Sequence, residues 1–221
     1  MIGIFGKGNF SKLIQEIFNQ KKINFTVSDY LDTKENIENV LKCDYIILAV
    51  PAQYINNYLK YITNQIIIDI CSVKEYPKEL YVKHNVSAIL THPMFGPNSY
   101  KEFGLKDQKI MLDLSLFKGN TEEIFNFLRN LELEIIEMSS KEHDEITAKT
   151  LALHHIVGRI IPEINNEKLD TSNYRKILEV YKSVKNDSDD LFISLIKYNK
   201  YVKNEIELIK NRLNEIIKGI Y

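Results

Sequence analysis

Two cysteines, Cys43 and Cys71, are all that a chain of 221 residues contains, too few for a disulfide framework. The sequence therefore reads as that of a protein of a reducing compartment, and the cytoplasm is the expected location. An excess of charge is missing too, with a formal net charge of −1. Bulk attraction to nucleic acid or to an anionic membrane is thus not expected, and any anionic ligand must be held by local features. No apolar run approaches the ~20 residues that a membrane helix needs. Met1 leads directly into Ile2-Gly3-Ile4-Phe5-Gly6, without a basic segment or a small-residue cleavage site, so no targeting segment is expected. No internal repeat stands out.

What is present is the composition of a globular protein, 44% hydrophobic and 27% charged, in a length that suits one large domain or two modest ones. Short apolar runs at 2–5, 23–27, 45–50, 65–70, 87–90, 109–114 and 133–138 alternate with helical patterns. Continuous apolar runs of this length suit strands buried on both faces. The alternation predicts an α/β fold, a Rossmann-type doubly wound, mostly parallel sheet over 1–138. From 139 to 221 the pattern turns helical and predicts an all-helical C-terminal domain. Ser139 with Glu142 resembles a capping box. Behind it Ile146, Leu153, Val157, Ile160 and Ile164 stripe one helix, Tyr174 to Val184 a second, and Leu191 to Ile216 a long last one. That domain is too small to bury all its stripes alone; it must pack on the first domain, on a second copy of itself, or on both, and a homodimer formed through these helices is the preferred reading.

Gly6-Lys7-Gly8-Asn9-Phe10-Ser11 follows the first strand and opens the first helix. It is a G-x-G-x-x-G pattern with Ser11 in the last, small-residue place. Gly6 allows a tight turn, and Gly8 lets the backbone approach a pyrophosphate lying at the positive end of the helix. Asp29 closes the second strand, where a carboxylate accepts hydrogen bonds from ribose hydroxyls and repels a 2′-phosphate. NAD is the expected cofactor; Lys7 nearby leaves NADP possible, and Ser28 is a second candidate for the ribose. Val50 and Pro51, at the end of the third strand, are expected to line the nicotinamide side. No metal site is expected.

Three further segments carry chemistry: Asp69-Ile70-Cys71-Ser72-Val73-Lys74, His92-Pro93-Met94-Phe95-Gly96-Pro97, and Glu142-His143-Asp144 with His155 thirteen residues after the Glu. In this order, behind the glycine pattern, they resemble the prephenate/arogenate dehydrogenase family over nearly the whole chain. The resemblance implies a small cyclohexadienol substrate with a ring carboxylate. A ring hydride passes to the nicotinamide, the hydroxyl proton leaves, and CO₂ departs as the ring becomes aromatic. A base of near-neutral pKa suits that proton, and histidine has one near 6.5. The resemblance implies His92 as that base, Ser72 as the hydrogen-bond partner of the substrate hydroxyl, and His155 as a residue of the substrate pocket. It implies NAD-dependent oxidation of prephenate, or of arogenate, on the route to tyrosine.

One position departs from the family pattern. An arginine that clamps the ring carboxylate falls where Ser183 stands, which leaves Arg175 or Lys182 to supply the cation, or a partner subunit. Two alternatives remain open on the sequence. A different β-hydroxyacid dehydrogenase would use a helix lysine as acid/base, and no lysine here has such a motif around it. A non-catalytic NAD-binding relative finds its support only in the missing arginine.

Overall fold

The apolar runs read from the sequence become strands of one sheet, in a computed structural model that describes residues 1–161 and 171–220. β1 (Ile2–Phe5), β2 (Phe25–Ser28), β3 (Tyr45–Leu48), β4 (Ile66–Asp69), β5 (Ala88–Pro93), β6 (Lys109–Leu116) and β7 (Glu134–Glu137) lie in the order β2-β1-β3-β4-β5-β6-β7. The first five run parallel. β6 runs antiparallel to β5, and β7 follows β6 in parallel. The carboxyl ends of β1 to β5 therefore share one edge of the sheet.

Side chains alternate across each strand, and both faces are apolar. Ile4, Ile47, Ile89, Ile110 and Leu112 enter one cluster with Leu13, Ile14, Ile17 and Phe18 of α1 (Asn9–Gln20) and with Ile124 and Leu128 of α6 (Thr121–Asn130). Their neighbours in sequence point the other way. There Phe5 stacks at 5.0 Å on Tyr58 of α3 (Ile55–Leu59). Four large apolar side chains buried from α1 alone contribute on the order of 1.5–3 kcal/mol each as an upper bound. Helices α2 (Lys34–Leu41), α4 (Glu75–Lys83) and α5 (Pro97–Phe103) complete the connections.

Tertiary contacts divide the chain into two units, Met1–His143 and Asp144–Tyr221. α7 (Ser140–Thr147) starts in the first and continues into the second, where a π-turn (Ala148–Ala152) leads into α8 (Leu153–Ile160). Ser139 caps α7 as its capping pattern suggests, its hydroxyl accepting the Glu142 N–H at 3.2 Å. α9 (Ser172–Val184) follows, packed so closely on α8 that a Cβ at Gly158 would come within 2.4 Å of Val184 Cγ2. Ile164, assigned to the first stripe, lies outside the described residues.

The structure corrects the sequence reading in three places. The helix expected from Ile146 onward is interrupted by the π-turn. The long last helix is two, α10 (Asp189–Tyr198) and α11 (Val202–Ile220). Asn199 separates them in extended backbone, its side-chain amide donating to the Asp144 carbonyl at 2.8 Å and its side-chain oxygen accepting the Tyr201 N–H at 3.1 Å. An apolar stripe does not show such a break, because the stripe resumes in phase beyond it. Finally, β5 extends past Leu90 to Pro93, since β6 keeps pairing with it: Thr91 faces Leu112 and His92 faces Met111. No described helix is long and apolar enough to cross a membrane.

Candidate active site

β2 and β3 lie on opposite sides of β1, so the order reverses at β1. In an open α/β sheet such a point leaves a crevice beyond the strand ends. Gly6 sits there at φ 111°, in the left-handed half of backbone space, where a side chain is strained. A Cβ on it would come within 2.3 Å of the Ala49 carbonyl oxygen. Only glycine lets β1 and β3 end so close together. Ser11 Oγ donates to the Gly6 carbonyl at 2.6 Å and holds the turn against α1.

Gly8 is the N-cap of α1 and brings no side-chain hydrogen bond, and the first turn carries no acidic residue. A Cβ at Gly8 would meet nothing within 4 Å. The positive end of the helix is thus left uncompensated, with open space before its N–H groups, and Asn9 and Phe10 form its first turn. A pyrophosphate fits this arrangement. Phe10 also packs on Phe95 at 6.2 Å between ring centroids, joining the glycine turn to the segment after β5.

At the end of β2, Tyr58 donates its hydroxyl to Asp29 Oδ1 at 3.1 Å, which fixes that carboxylate. Burial pushes the Tyr58 hydroxyl pKa far up, aided by the charge of Asp29, so it stays a donor. Lys7 does not reach toward a phosphate; its ammonium pairs with Asp32 at 2.6 Å. Asp32 also accepts the Asp29 N–H at 2.8 Å and the Ser28 hydroxyl at 3.1 Å. Lys7 holds the Asp32 carboxyl below its usual pKa range, together with the Asp29 N–H. Ser28 is fully buried and gives its hydroxyl to Asp32, so it does not face a ribose. Val50 and Pro51 are half-buried beside the glycine turn, with Val50 Cγ1 3.0 Å from where a Gly6 Cβ would stand.

The chemical residues lie further along the same edge. Asp69 ends β4, and its carboxylate accepts the Cys71 N–H at 3.1 Å and binds Lys74, which is fully buried. Lys74 also donates to the Thr91 carbonyl at 2.6 Å, and Thr91 Oγ1 donates to the Asp69 carbonyl at 2.9 Å. This cluster ties the segment after β4 to β5. Ser72 lies on that segment, 8% exposed, and its hydroxyl has no partner among the described residues.

His92 is 8% exposed near the end of β5. Its Nδ1 lies 2.8 Å from Nε2 of His143, with the rings nearly perpendicular at 76°. Burial, then the neighbouring His143 and Lys74, lowers its pKa well below the usual histidine value. Burial thus favours the neutral ring. His143 is held by the start of α7, which is pinned to β6. Asp113 accepts the Ser140 N–H at 2.9 Å, the Ser140 hydroxyl at 2.6 Å and the Lys78 ammonium at 3.0 Å. Burial acts to raise the Asp113 pKa, but these donors and Ser115 outweigh it and hold it well below the carboxylate range.

The structure thus brings Gly6, Gly8, Asn9, Phe10, Ser11, Asp29, Val50, Pro51, Ser72 and His92 to one edge of the first unit. His155, Arg175 and Lys182 belong to the second. His155 is buried on α8, with Nδ1 unpartnered among the described residues and Nε2 3.7 Å from Asp187. Burial, then His154 and Arg159, lowers its pKa to about 4, so at neutral pH the contact joins a neutral imidazole to a carboxylate and is not an ion pair. Arg175 and Lys182 are exposed on α9, two turns apart. Ser183, at the departing position, receives His154 Nε2 at 2.7 Å. Sequence reasoning gave no part to Asp113 or Tyr58, and it named Lys74 only as the last residue of a motif, without a role. The signal for Lys74 was its place in that motif, five residues after Asp69. Nothing local shows that Asp113 also binds Ser140 and Lys78, 27 and 35 residues away.

Comparison with known proteins agrees with this geometry. The family model described as prephenate dehydrogenase, nucleotide-binding domain, matches residues 14–115, and a TYRAAT1-like, C-terminal domain model matches residues 162–220. Arogenate dehydrogenase 2, chloroplastic, of Arabidopsis thaliana is 24% identical over all of this chain and 70% of its own length. A probable arogenate/prephenate dehydrogenase of Methanocaldococcus jannaschii is 28% identical over 83% of this chain, which spans only 45% of that relative. Among solved structures, prephenate dehydrogenase from A. aeolicus, in complex with hydroxyphenyl propionate and NAD⁺, superimposes with a TM-score of 0.71 at 15% identity, covering 99% of this chain and 90% of that one. At that identity the likeness concerns the fold.

Proposed function

We propose that this chain is a member of the prephenate/arogenate dehydrogenase family and, within it, a prephenate dehydrogenase that oxidatively decarboxylates its substrate to 4-hydroxyphenylpyruvate; the nucleotide-binding-domain match and the similar arogenate and prephenate dehydrogenases support the reading. One observation carries the reading. A buried polar group, Ser72 Oγ, stands without a partner among the described residues, on the segment that leaves β4 beside β5, the strand that carries His92. A buried polar group left unpaired costs about 1–3 kcal/mol. The hydroxyl of a small cyclic alcohol would satisfy it, accepting from the serine and donating to the imidazole of His92.

The cofactor is NAD(P), which the glycine turn, the bare end of α1 and Asp29 are built to hold. When bound, it would supply the acceptor for the hydride on the ring carbon that bears the hydroxyl. His92 takes the hydroxyl proton, and a base so positioned contributes about 10²–10⁴-fold. Ser72 orients the hydroxyl toward His92. The ring carboxylate then leaves as CO₂, driven by aromatisation, with no need for a metal ion. Asp29, fixed by Tyr58, and Lys7, occupied by Asp32, favour NAD over NADP. His155, Arg175 and Lys182 are proposed to contact the substrate, the cations meeting its carboxylates.

A second reading is arogenate as substrate, favoured by the name of the Arabidopsis relative that aligns over the entire chain. Absorbance of the reduced nicotinamide, followed with NAD or NADP and each acid in turn, decides. We expect turnover with NAD and prephenate; turnover with arogenate alone would establish the second reading, and none with either acid would refute both.

We further propose a homodimer in the cytoplasm. Ile156, Ile160, Ile206, Ile209, Leu213 and Ile217 line an apolar groove of about 350 Å³ within the second unit, a face that a second copy would cover.

A further inference from the structure

A histidine can act as a base only through the nitrogen that lacks a hydrogen, and the other nitrogen decides which one that is. Resting on the dehydrogenase reading above, we propose that His143 is a positioning residue that fixes the tautomer of His92. Its Nε2 accepts the hydrogen of His92 Nδ1 across the 2.8 Å contact, leaving His92 Nε2 bare toward the substrate hydroxyl.

The surroundings fit this role. Both rings are buried, His143 at 2% exposure, so water does not compete for the shared hydrogen. His143 cannot drift, because Asp113 grips both the N–H and the hydroxyl of Ser140 at the start of its helix. The groups that bear electrostatically on His92 are His143 and the ammonium of Lys74, the latter neutralised by Asp69. When the substrate proton moves to Nε2, the ring becomes an imidazolium. Its Nδ1–H bond to His143 then joins a charged donor to a neutral acceptor and strengthens. The contact thus stabilises the transition state more than the ground state, which raises kcat rather than lowering KM.

Two measurements test it. In the free wild-type protein, nitrogen-15 spectra of the imidazoles at neutral pH should show the hydrogen of His92 on Nδ1. Glutamine at 143 keeps a carbonyl oxygen where Nε2 stood, so His143→Gln should retain the tautomer and hold kcat within about tenfold. His143→Leu should shift the hydrogen toward Nε2 and lower kcat about 10²-fold or more, with KM little changed. A wild-type spectrum with the hydrogen on Nε2 overturns the proposal, whatever becomes of the variants. So does a leucine variant with undiminished kcat. Absence of turnover in the wild type would refute the dehydrogenase reading instead, and the spectra would still decide what His143 does to His92.

Discussion

At the scale of single residues the protein stakes its chemistry on keeping histidines uncharged. Burial lowers the pKa of both His92 and His155, the latter from 6.5 to about 4. An unfolded chain binds protons at both below pH 6.5, and the folded one does not. The unfolded state therefore holds more protons in that range, and folding stability falls as pH drops from about 6.5 toward 4. Asp187, whose pKa burial raises, opposes the trend only at the acid end. Thermal unfolding between pH 7 and 4 should show a falling midpoint, and His155→Leu should flatten the slope. A midpoint that holds constant or rises on acidification would contradict this account.

Among the elements, what matters is where helices start, break and touch. Gly158 lets α8 and α9 approach, and a methyl group there would press on Val184 Cγ2 at 2.4 Å and the Val180 carbonyl at 3.0 Å. Gly158→Ala should cost about 1–3 kcal/mol, as overpacking does, despite the higher helix propensity of alanine. Val184→Ala in the same chain should recover part of the loss in urea unfolding. If Gly158→Ala stabilised the protein, the helices would have room the structure denies them. The strands and most helices could be read from periodicity, because buried strands and amphipathic helices write their burial into the sequence. The break at Asn199 could not, since it depends on a polar side chain reaching Asp144, 55 residues away. Gly6, Gly8 and Asp29 were legible because a strand–turn–helix places them by short-range order. The bonds from Tyr58 to Asp29 and from His143 to His92 were not, as they join positions 29 and 51 residues apart.

For the whole molecule, the first unit has a closed core and the second leaves apolar surface open. Leu213, Ile216, Ile217 and Ile220 of α11 are half or more exposed. The proposed dimer accounts for that surface. Leu213→Asp should place an unpaired charge in the groove and yield a monomer in sedimentation at concentrations where the wild type is dimeric; an unchanged oligomer would move the interface elsewhere. The catalytic account makes a separable demand, because it assigns cofactor binding and proton transfer to different residues of one sheet edge.

That demand is met or broken by His92→Asn. Asparagine keeps a polar group of similar reach without a titratable nitrogen and leaves the glycine turn untouched. Titration with NAD and turnover of the preferred acid, measured on one preparation, should show wild-type cofactor affinity and a kcat lower by about 10²–10⁴-fold. Near-normal turnover in that variant would mean that another group takes the proton, and the central claim would fall.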